Sequence, residues 1–216
     1  MNKALQYAKQ IAYSTEETLM FTYEMAKKYD DSSGCYVECG VAAGAQIIAM
    51  RAGAPDKEIH AFDSFEGIPL PSNRDDQMPG IGYLKPWEQS ALPDPGKQFL
   101  VSTGATSVRV EDFWEHIHKS GVGNKQNILV HKGWFERTVS SWDDRKISIL
   151  RLDGDLYNST IVCLKGLYRS VLRGGIVIVD DWQLPGCRSA VYDFLKTRQL
   201  HCEIQFVSNI AYWIKP

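Results

Sequence analysis

What is scarce in this chain narrows its class before any motif is read. An excess of positive charge is missing: 24 Lys and Arg stand against 26 Asp and Glu, a formal charge of −2. That removes the electrostatic case for nucleic acid or for an anionic membrane surface as partner. No apolar run approaches the roughly 20 residues that a membrane-spanning helix needs. The opening MNKALQYAKQ is charged and amphipathic and lacks the apolar centre of a secretory leader. Cysteine is sparse and odd in number (Cys35, Cys39, Cys163, Cys187, Cys202), with no C-x-x-C pair. A disulfide framework is therefore not expected; reduced, mostly packed thiols in a cytoplasmic protein are. Two phosphate-binding signatures are absent as well, the dinucleotide G-x-G-x-x-G and the P-loop lysine.

What remains is the composition of a globular chain, 44% hydrophobic and 23% charged. Its 216 residues fit a single domain spanning 1–216. The most informative stretch is Ile147–Thr160, ISILRLDGDLYNST. An apolar, β-branched run of this kind reads as a buried parallel strand, and its polar break, Asp153-Gly154-Asp155, as the strand's C-terminal end. Open α/β sheets place their ligands there. Asn158, Ser159 and Thr160 are expected to cap a helix whose apolar positions are Leu164, Leu167, Tyr168 and Val171. A further strand, Gly175–Val179, ends in Asp180-Asp181. Carboxylates crowded at neighbouring strand ends call for a divalent cation.

Earlier in the chain, Tyr36–Gly44 (YVECGVAAG) and the helical pattern of 45–51 form a strand, glycine turn and helix. Such a unit binds nucleotide-like ligands. Gly40 permits close approach of a ligand, and Gly44 is expected to allow close helix–strand packing. Glu38 at the strand end disfavours a pyrophosphate and suits an ammonium group. The strand Glu58–Phe62 leads to Asp63, about 20 residues past the glycine turn, where an acid accepts hydrogen bonds from ribose hydroxyls. Residues 64–100 lose all periodicity and hold six of the nine prolines; a loop this long next to a site is expected to act as a lid. Residues 1–30 read as two helices, with a capping box from Ser14 to Glu17, that pack on the sheet, on another copy of the chain or over the site. After the strand Asn127–His131 come Gly133, another close-approach position, and Trp134, placed to stack on a flat base. Trp182, Tyr83 and Trp87 are candidate faces for a sugar ring. A terminal hairpin (203–207, 210–214) completes an α/β fold of about seven strands, parallel except at one edge, with helices on both faces.

The motifs YVECGVAAGAQ, IHAFDSFEGIP, HKGWFERTV, LRLDGDLYNST, GGIVIVDDW and PGCRSAVYDF together resemble the S-adenosylmethionine-dependent methyltransferases. Within them the chain is similar to the macrocin O-methyltransferase family, which methylates sugar hydroxyls on natural products. The resemblance implies a Rossmann-like methyltransferase fold and two cofactors, S-adenosylmethionine and Mg²⁺. It places Asp153, Asp180 and Asp181 on the metal, with Asp153 the general base. It sets Glu38, Gly40, Val41, Ala42, Asp63, Ser64, Gly133 and Trp134 along the cofactor, and the 64–100 segment over a small-molecule or glycoside substrate. The N-terminal helices would join copies in a homo-oligomer. Three alternatives stay open: a glycosyltransferase reading Asp153-Gly154-Asp155 as a DxD metal motif, a catechol-type methyltransferase, and a cofactor-binding domain without a reaction.

Overall fold

The apolar runs become strands, and the sheet they build sets out the site. The computed structural model describes residues 2–75, 102–122 and 125–216. Helices α1 (Lys3–Ile11) and α2 (Glu16–Lys28) precede β1 (Cys35–Cys39), α3 (Ala45–Gly53) and β2 (Ile59–Asp63). Then follow α4 (Val110–Ser120), β3 (Ile128–Lys132), the one-turn α5 (Phe135–Thr138) and β4 (Ile147–Leu152). The chain closes with α6 (Tyr157–Leu167), β5 (Val171–Val179), α7 (Pro185–Thr197), β6 (Gln205–Val207) and β7 (Ile210–Ile214). Tyr83 and Trp87, and the lid expected over 64–100 from residue 76 onward, lie outside the described residues.

The seven strands form one sheet in the order β3-β2-β1-β4-β5-β7-β6. The first five are parallel; β7 runs antiparallel to both β5 and β6, which gives the one reversed edge. From β1 the chain moves outward through β2 to β3, then returns to β4 on the other side. The crevice at the C-terminal ends of β1 and β4 is therefore the switch point where such sheets hold ligands.

Alternation along the strands sends side chains to two cores. Tyr36, Ile149 and Ile178 meet Leu5, Leu19, Ile47, Met50 and Phe113 on one face, and Val37, Leu150 and Val177 meet Leu164, Leu167, Val191 and Phe194 on the other. Glu38 and Arg151 have the parity of the first face, so two charges occupy positions that apolar residues fill elsewhere on these strands. Helices α1 and α2 pack onto this domain through Ala4, Leu5, Ala8, Leu19 and Ala26.

Four local expectations are corrected. Thr15, one residue after Ser14, caps α2: its side chain accepts from Thr18 N, while the Ser14 hydroxyl accepts from Gln46 Nε2 at 2.8 Å. Helix α6 starts at Tyr157, so Asn158, Ser159 and Thr160 fall inside its first turn, and its Tyr157 N–H is met by Asp75 Oδ1 at 2.8 Å. A residue from far away in sequence replaced the local cap. Val171 belongs to β5, because a 3₁₀ turn at Tyr168–Ser170 ends the helix first. Gly44 makes room for the Phe113 ring of α4, not for a strand.

Candidate active site

Glycine and aspartate fix the turn after β1. Gly40 has φ +92°, and a methyl group on it would overlap the Asp153 carbonyl oxygen. Two backbone bonds close this junction, Gly40 N to Phe62 O and Asp153 N to Cys39 O, both 2.8 Å. Asp63 then binds the turn itself: Oδ2 accepts from Val41 N (2.8 Å) and Ala42 N (2.9 Å), and Oδ1 from Phe65 N (2.7 Å). A carboxylate has about four lone-pair sites, so these bonds leave one free for a ligand hydroxyl.

Beneath the turn lies a buried charge cluster. Arg151 Nη1 donates to Glu38 Oε1 at 2.8 Å and to Asp153 Oδ2 at 2.7 Å, and Nη2 is 2.9 Å from Asp180 Oδ1. The last contact is an ion pair without hydrogen-bond alignment. Arg151 and Glu38 are both essentially sealed from solvent, at 0% and 1% exposure. One guanidinium thus serves three carboxylates. Burial, opposed by Arg151, pushes the Glu38 carboxyl up to about 7. Its second oxygen, Oε2, is buried with no hydrogen-bond partner among the described residues. An orphaned buried acceptor of this kind demands a donor.

Asp153, Asp180 and Asp181 bring one oxygen each within 4.8 Å of one another. Burial, and then the neighbouring negative charges, raise the Asp153 and Asp181 carboxyls well above the ordinary range. Asp155, held at φ +57°, donates its backbone N–H to Asp181 Oδ2 at 2.8 Å and is itself pushed up to about 7 by burial and by Asp153. An all-oxygen, charge-rich set of this kind fits a hard divalent cation, which would remove the repulsion that raises these values.

A cavity of about 230 Å³ joins the turn to the aspartates. It is lined by Glu38, Gly40, Val41, Ala42, Asp63, Ser64 and Trp134, and by Asp153, Asp180 and Asp181. Of the cofactor residues expected from sequence, Gly133 alone is outside the lining; its φ of +140° and its bond from N to Asp63 O orient Trp134 instead. Trp182 is also absent from the lining, and packs against Tyr192 and Phe206.

Several residues of this site were missed in the sequence. Arg151 hid in an apolar strand, although an arginine inside I-S-I-L-R-L was itself the signal. Tyr13 and Ser14, between α1 and α2, reach the cavity, so the N-terminal segment both packs on the domain and helps close the site. Gln46 Oε1 and Asn209 Oδ1 also line this side, buried and without partners among the described residues. Asp75 is only 4% exposed and ties the start of the proline-rich segment to α6, with Arg74 over the Tyr157 ring at 4.1 Å. Nothing local to Asp75 announced that bond.

Comparison with known proteins gives the family. The family model described as Macrocin-O-methyltransferase (TylF) matches residues 24–215. The chain belongs to the macrocin O-methyltransferase family. Among curated members it is 31% identical over 170 residues, 76% of its length, to 8-demethyl-8-(2,3-dimethoxy-alpha-L-rhamnosyl)-tetracenomycin-C 4'-O-methyltransferase of Streptomyces olivaceus. It is 26% identical over 191 residues, 85% of its length, to mycinamicin III 3''-O-methyltransferase of Micromonospora griseorubida. The chain spans 59% of the first relative's length and 69% of the second's. Among solved structures, the O-methyltransferase NovP superposes with a TM-score of 0.76 at 24% identity, covering 93% of this chain and 80% of that one. The calicheamicin methyltransferase CalS11 gives 0.70 at 19% identity, over 91% and 78%. These similarities establish the macrocin O-methyltransferase fold for the sheet and its helices.

Proposed function

We propose that this chain is one S-adenosylmethionine-dependent O-methyltransferase domain that, with Mg²⁺, methylates a hydroxyl of a sugar carried by a natural-product glycoside. The observation that carries this reading is the Glu38 Oε2 acceptor, buried and unpartnered in the same cavity as the three-aspartate cluster. Family membership supports it, as does the S. olivaceus relative, whose name describes methylation of a rhamnosyl group.

S-adenosylmethionine supplies an electrophilic methyl group, and a divalent cation at Asp153, Asp180 and Asp181 supplies the charge that makes an acceptor hydroxyl more acidic. The remaining tasks fall to the chain. Glu38 Oε2 would accept from the ammonium of the cofactor's amino-acid portion. Asp63 would accept from its ribose, and Trp134, which lines the cavity, would stack on its base. A cavity so rich in carboxylates favours a sulfonium over a diphosphate. With the cofactor bound, transfer of its methyl group from sulfur to the acceptor oxygen would release the hydroxyl proton, and Asp153 would take it. Arg151 grips Asp153 Oδ2 and so fixes the orientation of that carboxylate. Displacement at carbon needs an in-line geometry, so positioning is most of the catalysis.

Calorimetric titration with S-adenosylhomocysteine, with and without Mg²⁺, beside a UDP-sugar with Mn²⁺, tests this reading. Micromolar binding of the nucleoside alone is expected. Binding of the UDP-sugar in its place would restore the DxD glycosyltransferase alternative.

A further inference from the structure

Just past Asp181 the chain leaves the cavity with Trp182. Its ring meets Tyr192 of α7, centroids 5.4 Å apart and planes at 70°, and Phe206 of β6 at 5.7 Å and 56°. Three elements thus deliver aromatic rings to one place. Tyr192 is 53% exposed and Phe206 57%. Single exposed apolar side chains are ordinary, but two exposed rings packed on a third make a patch that water covers poorly. Edge-to-face packing of Trp182 on Tyr192 also fixes those two rings, so a ligand would meet a preformed surface.

The patch borders the site along the chain. Trp182 sits between Asp181 and Gln183, and both of these line the cavity. Phe206 lies in the same hairpin as Asn209, which lines it as well, with a buried oxygen that has no partner among the described residues. An acceptor with its sugar at Asp153 and Asp181 would leave the cavity past these residues.

We propose that Trp182, Tyr192 and Phe206 form a platform for the apolar ring system, the aglycone, of a glycoside acceptor. This rests on the methyl-transfer reading and adds the chemistry of the acceptor's other half. A nucleotide-linked sugar would present a diphosphate, which guanidinium or ammonium groups meet; the guanidinium here, Arg188, donates from Nη1 to the Trp182 carbonyl oxygen at 3.2 Å. Aromatic carbon suits a flat apolar ligand instead.

The test uses the full chain loaded with S-adenosylhomocysteine and Mg²⁺, titrated calorimetrically with 2-naphthyl α-L-rhamnoside and with methyl α-L-rhamnoside. The naphthyl glycoside is expected to bind about tenfold more tightly. Tyr192→Ser and Phe206→Ser, both at exposed positions, are expected to abolish that preference and leave the methyl glycoside unaffected. Equal binding of the two glycosides, or a preference that both variants keep, overturns the platform. So does a change of oligomeric state in the variants by sedimentation, which would make the patch a contact between copies. Failure of S-adenosylhomocysteine to bind sinks the methyl-transfer reading itself; its retention without any aglycone preference sinks only the platform.

Discussion

At the N-terminal ends of β1 and β2, Cys35, Glu58 and His60 bring donor atoms within 4.8 Å of one another, as Asp153, Asp180 and Asp181 do at the C-terminal ends of β4 and β5. The first group is complete in itself. His60 Nδ1 meets His131 Nε2 at 2.8 Å, His60 Nε2 meets Glu58 Oε1 at 2.8 Å, and Arg145 donates to the same oxygen at 2.8 Å. His131 stacks on Phe62 with centroids 4.1 Å apart, and burial pushes the Cys35 thiol up to about 12. The second group is not complete. Its aspartates share Arg151 with Glu38, an oxygen of Glu38 goes unanswered, and two of the three aspartates are driven toward their protonated forms. Proximity of ionisable groups is common to both ends; unmet electrostatic demand belongs to one, and it marks the site.

The contrast breaks or sharpens under substitution. The largest effect is expected from Asp153→Asn, which should lower methyl transfer by about 10³-fold or more while S-adenosylhomocysteine still binds. Initial rates and calorimetry read the two halves of that statement. Comparable loss in His60→Gln would erase the distinction between the clusters. Gly40→Ala comes next: overlap with the Asp153 carbonyl and the strained φ should cost about 3 kcal/mol in urea unfolding and remove nucleoside binding. Mg²⁺ at 100 times its dissociation constant should stabilise the protein by about 2.7 kcal/mol. Thermal unfolding should show that gain in Cys35→Ser and lose it in Asp181→Asn; the opposite pattern moves the metal to the other end of the sheet. His60→Gln should cost about 1–3 kcal/mol of stability through the broken buried hydrogen bonds, with the transfer rate within about twofold of the parent.

The smallest signal is in pH dependence, where the two ends have opposite sign. Glu38 is raised in the fold from 4.5 to about 7, mainly by burial. Its protonated form is the favoured one, so its contribution to stability is complete below about 4.5 and is lost as pH rises through about 7. His60 and His131 are held below the ordinary 6.5, first by burial. Their neutral forms are favoured, and their contribution is full above about 6.5 and lost as pH falls below it. In metal-free protein, Glu38→Gln should flatten the first slope and His60→Gln the second. Unfolding free energies across pH 4–8 (a range of roughly the two titrations) decide whether each slope belongs to its own residue.

Much of the architecture could be read without coordinates. Apolar runs around Val37, Leu150 and Val177 declared strands, and the order of Gly40, Asp63, Asp153 and Asp180-Asp181 declared which strand ends border the cavity. Failures came where a distant group replaced a local one. Asp75 took the capping role expected of Asn158–Thr160, and Phe113 took the space that Gly44 was expected to give a strand. Trp182, beside a site residue in sequence, packs on Tyr192 and Phe206 outside the cavity lining.

The sequence by itself determined the kind and order of the elements, because periodicity and glycine act within a few residues of the backbone. It also determined the surplus of carboxylates at the strand ends. Tertiary structure alone decided how that surplus is distributed. Glu38 and Arg151 are 113 positions apart, and meet because parallel pairing of β1 with β4 sets them side by side. Whether a buried oxygen then has a partner depends on every strand and loop around it, and no local pattern carries that information.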